Sequence, residues 1–212
     1  MHDLLIFGAT RNSGWLLAGV ARRHGLSVAA MVRPGSPAEA LRELGVTVLA
    51  GDAFSEADCC AAIEAARPRW LASTLGGKSA DGRRIDAAGN LNVIRAAEAV
   101  PGIERALLVT SFGCGELYPQ LSPAARAALG DAIRAKNLAE TRWQASPLAW
   151  TLVRLLVYVL RCVFFRSTLL RLFERFISIA VLLWVILDTS GAAEPLIEAL
   201  QKVVFVIGRQ KL

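Results

Sequence analysis

The start of the chain combines a fully apolar run with a turn that glycines bound on both sides. Residues 4–7 are all apolar, which is typical of a central parallel strand covered by helices on both faces. Gly8 allows a tight turn directly after this run, and Gly14 allows the following helix to pack closely. The free N–H groups at the start of such a helix attract anions. This order of strand, turn and helix predicts a cradle for the pyrophosphate of a dinucleotide.

The turn departs from the usual pattern at one position, because Arg11 occupies the place of the middle glycine. The rest of the chain repeats the order of strand and helix. We predict strands over residues 4–7, 28–32, 46–50, 70–74, 106–110 and 150–153. We predict helices over residues 13–24, 37–44, 56–66, 81–100 and 123–144. Repeated strand–helix–strand units require right-handed crossovers. Residues 1–154 are therefore predicted to form an α/β domain, a Rossmann-like doubly wound parallel sheet with helices on both faces.

Ligands of such a sheet bind beyond the carboxyl ends of the strands. The residues that directly follow the first four predicted strands are therefore the candidate cofactor-binding residues. They are Gly8, Thr10, Arg11, Asn12, Gly14, Arg33, Asp52, Ala53, Thr74, Leu75 and Gly76.

Two of these residues bear on the choice and the placement of the cofactor. Arg33 follows the second strand, where an NAD-specific site usually has an acid for the ribose 2′-hydroxyl. An arginine suits a 2′-phosphate instead, and Arg11 would supply a second cation. The sequence therefore favours NADP(H) over NAD(H), the alternative being that Arg33 is a solvated loop residue. Asp52 either accepts from the adenine amino group or caps the helix that begins near Glu56.

These residues resemble the short-chain dehydrogenase/reductase superfamily, in its atypical NAD(P)-binding, NmrA-like branch. The resemblance covers about residues 3–154. The matching motifs are Gly8-Ala9-Thr10 with Gly14, Val32-Arg33, Gly51-Asp52, Asp86 with Asn90 and Asn92, Val109-Thr110-Ser111, Lys136-Asn137 with Glu140, and Trp150-Thr151-Leu152-Val153-Arg154. The resemblance implies a Rossmann domain that binds NAD(P), often with oxidoreductase activity, although some members only sense the dinucleotide.

The candidate catalytic residues are Ser111, beside the expected face of hydride transfer, and Lys136, which would position the nicotinamide ribose. In the wider family a tyrosine stands four residues before this lysine, as a general acid whose pKa the lysine lowers. Here that position holds Ala132, and Tyr118 is the substitute that the sequence offers. The alternative for Lys136 is a solvated lysine on a helix.

Three functions follow from these features. The leading one is an NADPH-dependent oxidoreductase of a small carbonyl, flavin or quinone-like acceptor. The first alternative is a non-catalytic NADP(H) sensor, and the second is a membrane-associated fusion or truncated product.

Charge and cysteine content exclude some other classes of function. Residues 1–150 carry 16 Lys and Arg against 14 Asp and Glu, a net +2 of the formal +6, so a strongly basic nucleic-acid surface is not indicated. The four cysteines show no metal-ligand spacing, and they are interpreted as small buried thiols. With no signal peptide apparent at the N-terminus, we expect a cytoplasmic protein.

The last part of the chain departs from the pattern. Residues 155–187 are nearly all apolar, yet the longest uncharged run is the 12 residues 176–187, and a bilayer span needs about 20. We predict a hydrophobic, mainly helical segment over residues 155–212. Residues 155–187 would pack on the domain, on a second copy in a homodimer, or on a membrane. Residues 170–212 resemble the membrane segment that precedes the pore helix in small mechanosensitive channels.

Overall fold

Six strands form one parallel sheet in the computed structural model of this chain. They are β1 (His2–Phe7), β2 (Val28–Val32), β3 (Thr47–Ala50), β4 (Pro68–Ser73), β5 (Arg105–Ser111) and β6 (Trp150–Leu155). Their order across the sheet is β3-β2-β1-β4-β5-β6. The chain therefore winds outward in one direction from β1 and in the other direction from β4. This is the strand order of a Rossmann fold, and ligands bind where the order reverses.

The structure describes residues 1–79 and 82–155, together with two short strands near the end of the chain. The chain divides into two compact units, Met1–Val159 and Leu160–Leu212. The five helices of the first unit are α1 (Asn12–Arg23), α2 (Glu39–Glu43), α3 (Glu56–Ala66), α4 (Ile85–Ala99) and α5 (Pro123–Gln144), and a 3-10 helix covers Gly115–Gln120. The predicted α/β fold with a doubly wound parallel sheet is confirmed.

The helix predicted over residues 81–100 begins later than the sequence suggested. Lys78 pairs with Arg84 in an isolated antiparallel bridge, and the N–H of Ser79 donates to the carbonyl of Arg83 at 2.8 Å. The backbone before Ile85 is thus committed to a turn, and α4 can begin only after it.

Residues 4–7 of β1 are buried on both faces of the sheet, as this apolar run predicts. Leu5 and Phe7 belong to a core cluster with residues of α3, α4 and α5. Leu4 and Ile6 belong to a second cluster with residues of α1 and α2. Both layers therefore meet on one strand, and the turn that follows β1 starts from the most constrained part of the sheet.

Trp143 of α5 connects the helical layer to the polar side chains near the end of β4. It is fully buried, and its indole N–H donates to the carbonyl of Asn90 at 3.0 Å. The side chain of Asn90 in turn accepts from the Ser73 hydroxyl at 2.5 Å and donates to the carbonyls of Leu75 and Asp86. Residues of α4, α5 and β4 are thus fixed relative to one another.

Of the second unit, the structure describes one antiparallel pair, β7 (Val206–Ile207) and β8 (Gln210–Lys211). These four residues are strands rather than helix, and the mainly helical segment predicted over residues 155–212 stays a prediction. Leu155 belongs to β6, and the other residues of the predicted apolar run 156–187 lie outside the described residues, as does most of the channel-like segment. Over residues 1–79 and 82–155, no helix is long and apolar enough to cross a bilayer.

Replacing Trp143 by alanine should lower the free energy of unfolding by about 3–5 kcal/mol, the range for deleting a large buried aromatic side chain. Trp143→Phe should cost less, because it keeps most of the ring volume and loses only the indole donor. Denaturant unfolding measures both losses. Trp150→Ala, at the partly exposed start of β6, is the control and should cost less than Trp143→Ala; an equal cost would contradict the role of Trp143 in the core.

Candidate functional site

A cavity of about 220 Å³ lies at the carboxyl ends of the strands, where the strand order reverses. Ten of the eleven predicted cofactor-binding residues line it: Gly8, Thr10, Arg11, Asn12, Arg33, Asp52, Ala53, Thr74, Leu75 and Gly76. Parallel strands end at the same edge of a sheet, so residues far apart in sequence come together there. That these residues bind a cofactor stays a prediction.

The eleventh residue, Gly14, lies next to the turn rather than on the cavity wall. A Cβ at this position would lie 2.2 Å from the carbonyl oxygen of Gly8 and 2.5 Å from Oγ1 of Thr74. That hydroxyl donates to the carbonyl of Gly8 at 3.0 Å. Gly8 itself has a φ of +90°, which favours glycine. Only a glycine at position 14 lets α1 begin this close to β1 and β4.

The start of α1 faces this turn without an acidic neighbour or a side-chain cap. Its N-cap is Arg11, with an extended backbone and no capping hydrogen bond from the side chain, and its first turn contains no acidic residue. A helix start of this kind carries partial positive charge and favours anions. The backbone at Arg11 is extended, a conformation that any residue can adopt, so position 11 does not require the glycine of the usual pattern.

Positive side chains outnumber negative ones on the described cavity wall. Arg11, Arg33, Lys78 and Lys136 line it, and Asp52 is the one acidic lining residue within the described part of the chain. This balance suits a ligand with several negative charges.

Asp52 does not cap α3, so the second interpretation of this residue is wrong. The cap is Ser55, whose hydroxyl accepts from the N–H of Asp58 at 3.2 Å. Asp52 instead accepts from the N–H of Phe54 at 3.0 Å in a local turn. Its own N–H donates to the Asp58 carboxylate at 2.8 Å. The turn holds Asp52 at the cavity wall.

Lys136 is buried at the cavity wall, which excludes the alternative of a solvated lysine. Its ammonium donates to Oδ1 of Asp86 at 2.5 Å, and the exposed fractions of the two side chains are 7% and 0%. A Cβ on Gly76 would lie 2.9 Å from the Lys136 nitrogen. The lysine therefore lies directly against the backbone that follows β4.

Thr110 also lines the cavity, although it is not among the predicted site residues. Its hydroxyl donates to Oε1 of Glu140 at 2.6 Å. Arg154 donates to both oxygens of Glu140, at 3.1 and 2.9 Å. Hydrogen bonds to Glu140 and Glu116 raise the pKa of the Arg154 guanidinium. Thr110 is part of the Val109-Thr110-Ser111 motif, which was the signal that could have identified it.

The structure places neither Ser111 nor Tyr118 on the cavity wall. Ser111 is 2% exposed, and its hydroxyl lies 3.7 Å from the Cys114 sulfur. The Tyr118 hydroxyl accepts from Arg134 at 3.3 Å, and its ring packs on the cluster of Cys114, Leu121 and Ile133. Tyr118 therefore does not occupy the place of the missing tyrosine.

Other lining residues were missed because loops and neighbouring elements bring them in. They are Ser13, Met31, Val32, Ser36, Gly51, Phe54, Lys78, Ser79, Ile85, Val109, Thr110 and Leu155. Some of them, such as Val32 and Gly51, stand beside predicted residues in the sequence. Ser36, before α2, and Ile85, at the start of α4, are brought to the cavity by the folding of these segments.

The cysteines of the described residues show the properties of inert thiols. Burial raises the pKa of Cys59 to about 12, and burial also raises the pKa of Cys114. A thiol with a raised pKa is a poor nucleophile and a poor metal ligand. Over residues 1–79 and 82–155, no group of three or more His, Cys, Asp or Glu side chains is placed to hold a metal ion.

Comparison with known proteins assigns the chain to a family. A family model described as NAD(P)H-binding matches residues 8–158. A comparison with curated proteins gives no match. Among solved structures, ChuY, an anaerobillin reductase from Escherichia coli O157:H7, is 38% identical, with a TM-score of 0.64 over 72% of this chain and 71% of that one.

Two further structures are similar. ChuY from E. coli CFT073 is 34% identical, with a TM-score of 0.58 over 73% of this chain and 71% of that one. A putative NAD-dependent epimerase/dehydratase from Bacillus halodurans is 26% identical, with a TM-score of 0.61 over 73% and 70%. The resemblance predicted from the motifs of residues 3–154 is thus confirmed, and nothing in these matches supports the channel-like resemblance of the tail. The chain belongs to the NAD(P)H-binding family and is an atypical Rossmann protein of the short-chain dehydrogenase/reductase type.

Proposed function

We propose that the protein is an NAD(P)H-dependent reductase of a small acceptor, with NADPH as its preferred cofactor. The observation that carries this proposal is the buried ammonium of Lys136 on the wall of a cavity that the Gly8–Gly14 turn also borders. The 38% identity to an anaerobillin reductase supports the reaction class.

The residues of the cavity fit a nicotinamide dinucleotide. Gly8 and Gly14 bring the uncapped start of α1 to the turn, where a pyrophosphate would accept backbone hydrogen bonds. Arg33 and Arg11 would hold a 2′-phosphate, and Asp52 would accept from the adenine amino group. When bound, the cofactor supplies a hydride, and the protein supplies binding, orientation and the exclusion of water.

Beyond β4 and β5, the chain's own residues would hold the reacting end. Thr74 and Gly76 offer a small side chain and accessible backbone on either side of Leu75, and the Lys136 ammonium lies beside them. Ser111 is predicted beside the face of hydride transfer, where it would donate to the acceptor oxygen, but its burial favours Lys136 for this role. Thr110 already donates to Glu140, so its oxygen can only accept from a ligand.

The acceptor is proposed to be a carbonyl, flavin or quinone-like compound. Anaerobillin is added to the acceptors to be tested, because the similar E. coli protein is an anaerobillin reductase. Purified protein with NADPH and each acceptor, under anaerobic conditions, tests the proposal through loss of absorbance of the reduced nicotinamide. Oxidation with one acceptor supports a reductase.

A sensor of the dinucleotide is the second candidate. It is favoured by Ala132 at the position of the family tyrosine and by the placement of Tyr118 away from the cavity wall. Tight binding of NADPH without turnover of any acceptor in the panel supports the sensor over the enzyme.

Arg33→Ala should weaken NADPH binding about tenfold or more, because a charge-assisted hydrogen bond contributes about 1.5–3 kcal/mol. Its effect on NADH should be less than about twofold, since NADH has no 2′-phosphate. Titration followed by fluorescence of the reduced nicotinamide gives both affinities. Arg42→Ala, on the exposed side of α2, is the control and should change neither; equal losses for the two cofactors would show that Arg33 does not read the 2′-phosphate.

Gly14→Ala should lower the affinity for NADPH at least about tenfold, because even one methyl group overlaps backbone there and overpacking shifts the surrounding structure. Gly19→Ala is the matched control on the same helix, where the nearest atom to an added Cβ is a side-chain nitrogen at 3.5 Å. That variant should bind as the wild type does. Unchanged affinity in folded Gly14→Ala protein, as judged by its circular dichroism spectrum, would overturn the assignment of this turn to the pyrophosphate.

A further inference from the structure

Asp86 is a fully buried carboxylate that does not itself line the cavity. It lies in the first turn of α4. Oδ1 accepts from the Lys136 ammonium at 2.5 Å. Oδ2 accepts from the N–H of Gly77 at 3.0 Å and from Arg84 at 3.3 Å. One side chain thus connects α4, α5 and the loop that follows β4.

A carboxylate buried this completely requires both charge and hydrogen-bond partners. Lys136 and Arg84 provide the opposite charge, and Gly77 provides a backbone donor. Each partner fixes a different segment, because the lysine belongs to α5, the arginine precedes α4, and the glycine follows β4. The three segments therefore cannot move independently while Asp86 keeps these contacts.

Asp86 reaches the cavity wall through two residues, Lys136 in the ion pair and Gly76 as the chain neighbour of Gly77. Lys136 and Gly76 both line it. A Cβ on Gly76 would lie 2.9 Å from the Lys136 nitrogen and 3.2 Å from Oδ1 of Asp86, so the ion pair lies against the lining backbone. Asp86, which lies behind the wall, thus sets the position of the wall at Lys136 and Gly76.

We propose that Asp86 is a positioning residue for the nicotinamide half of the cofactor. It holds the Lys136 ammonium and the Gly76–Gly77 backbone in the relative position that binds this half, and it makes no contact with the cofactor itself. The adenine half depends on other segments, the turn after β1 and the residues after β2 and β3. The inference rests on the proposed function, because it assumes that the nicotinamide end lies at Lys136.

The experiment compares a whole cofactor with a fragment that lacks the nicotinamide half. NADPH and 2′,5′-ADP are titrated into the full chain and into Asp86→Asn by calorimetry. Asp86→Asn should lower the affinity for NADPH about tenfold, the order expected for a lost charge-assisted contact. Its affinity for 2′,5′-ADP should change less than about twofold, as expected for a distant, independent site.

Lys136→Met should show the same selective loss, and the double variant Asp86→Asn/Lys136→Met should be no weaker than Lys136→Met alone. This non-additivity is expected when one residue acts through the other. The double variant leaves no unpaired charge between the two positions, so it replaces Asp86→Asn in the titrations if the single variant does not fold.

Glu98→Gln is the matched control, because Glu98 is a carboxylate of α4 that pairs with Arg142 of α5. It tests whether any loss of an ion pair between these helices has the same effect, and it should leave both affinities unchanged. Equal losses of NADPH and 2′,5′-ADP in Asp86→Asn, or no loss of either, would overturn the inference. Wild-type protein that binds neither ligand would instead overturn the proposed function.

Discussion

The close approach of Gly14 to the carbonyl of Gly8 is the constraint on which the cavity depends. It sets where α1 begins relative to the end of β1, and the Thr74 hydroxyl fills the remaining space from the side of β4. The three segments meet at the point where the strand order reverses. Because β1 is buried on both faces, this junction cannot adjust by moving the strand. A single methyl group is therefore a large perturbation here, whereas it is a small one further along α1, at Gly19.

Buried polar contacts on the other side of the cavity complete the site. Asp86 of α4 pairs with Lys136 of α5, and Thr110 near the end of β5 donates to Glu140 of α5. Exposed ion pairs such as Arg69 with Glu104 contribute little to stability because solvent screens them. The buried pairs differ, because a partner left alone there would be an uncompensated charge. They fix the positions of Lys136 and Thr110 at the cavity wall.

The two halves of the cavity are thus built by different means. The half near α1 consists of backbone that glycines bring close together, with arginines at its edge. The half near α5 consists of charged side chains that hold one another in place behind the wall. Under the proposed function, the phosphates of the cofactor would lie in the first half and its nicotinamide in the second. The ligand comparison designed for Asp86 uses the same division, because a local defect in one half should leave binding by the other half intact.

The sequence by itself determined the alternation of strands and helices, and with it the parallel sheet and the edge at which a ligand binds. Apolar runs and glycines carry that information locally, and ten predicted residues accordingly line the cavity. Tertiary structure alone decided the roles of three polar side chains, Lys136, Asp52 and Ser111. From the sequence, Lys136 fits either a residue that positions the nicotinamide ribose or a solvated helix lysine, until Asp86, 50 positions earlier in the chain, is folded against it. Asp52 reads equally well as a helix cap until Ser55 is seen to take that role. Ser111 follows a strand as a site residue should, yet its burial beside Cys114 removes it from the wall. The outcome for Lys136 depends on a contact between distant segments, which local pattern and spacing do not encode. The outcomes for Asp52 and Ser111 involve neighbours three residues along the chain, where the sequence permits more than one arrangement.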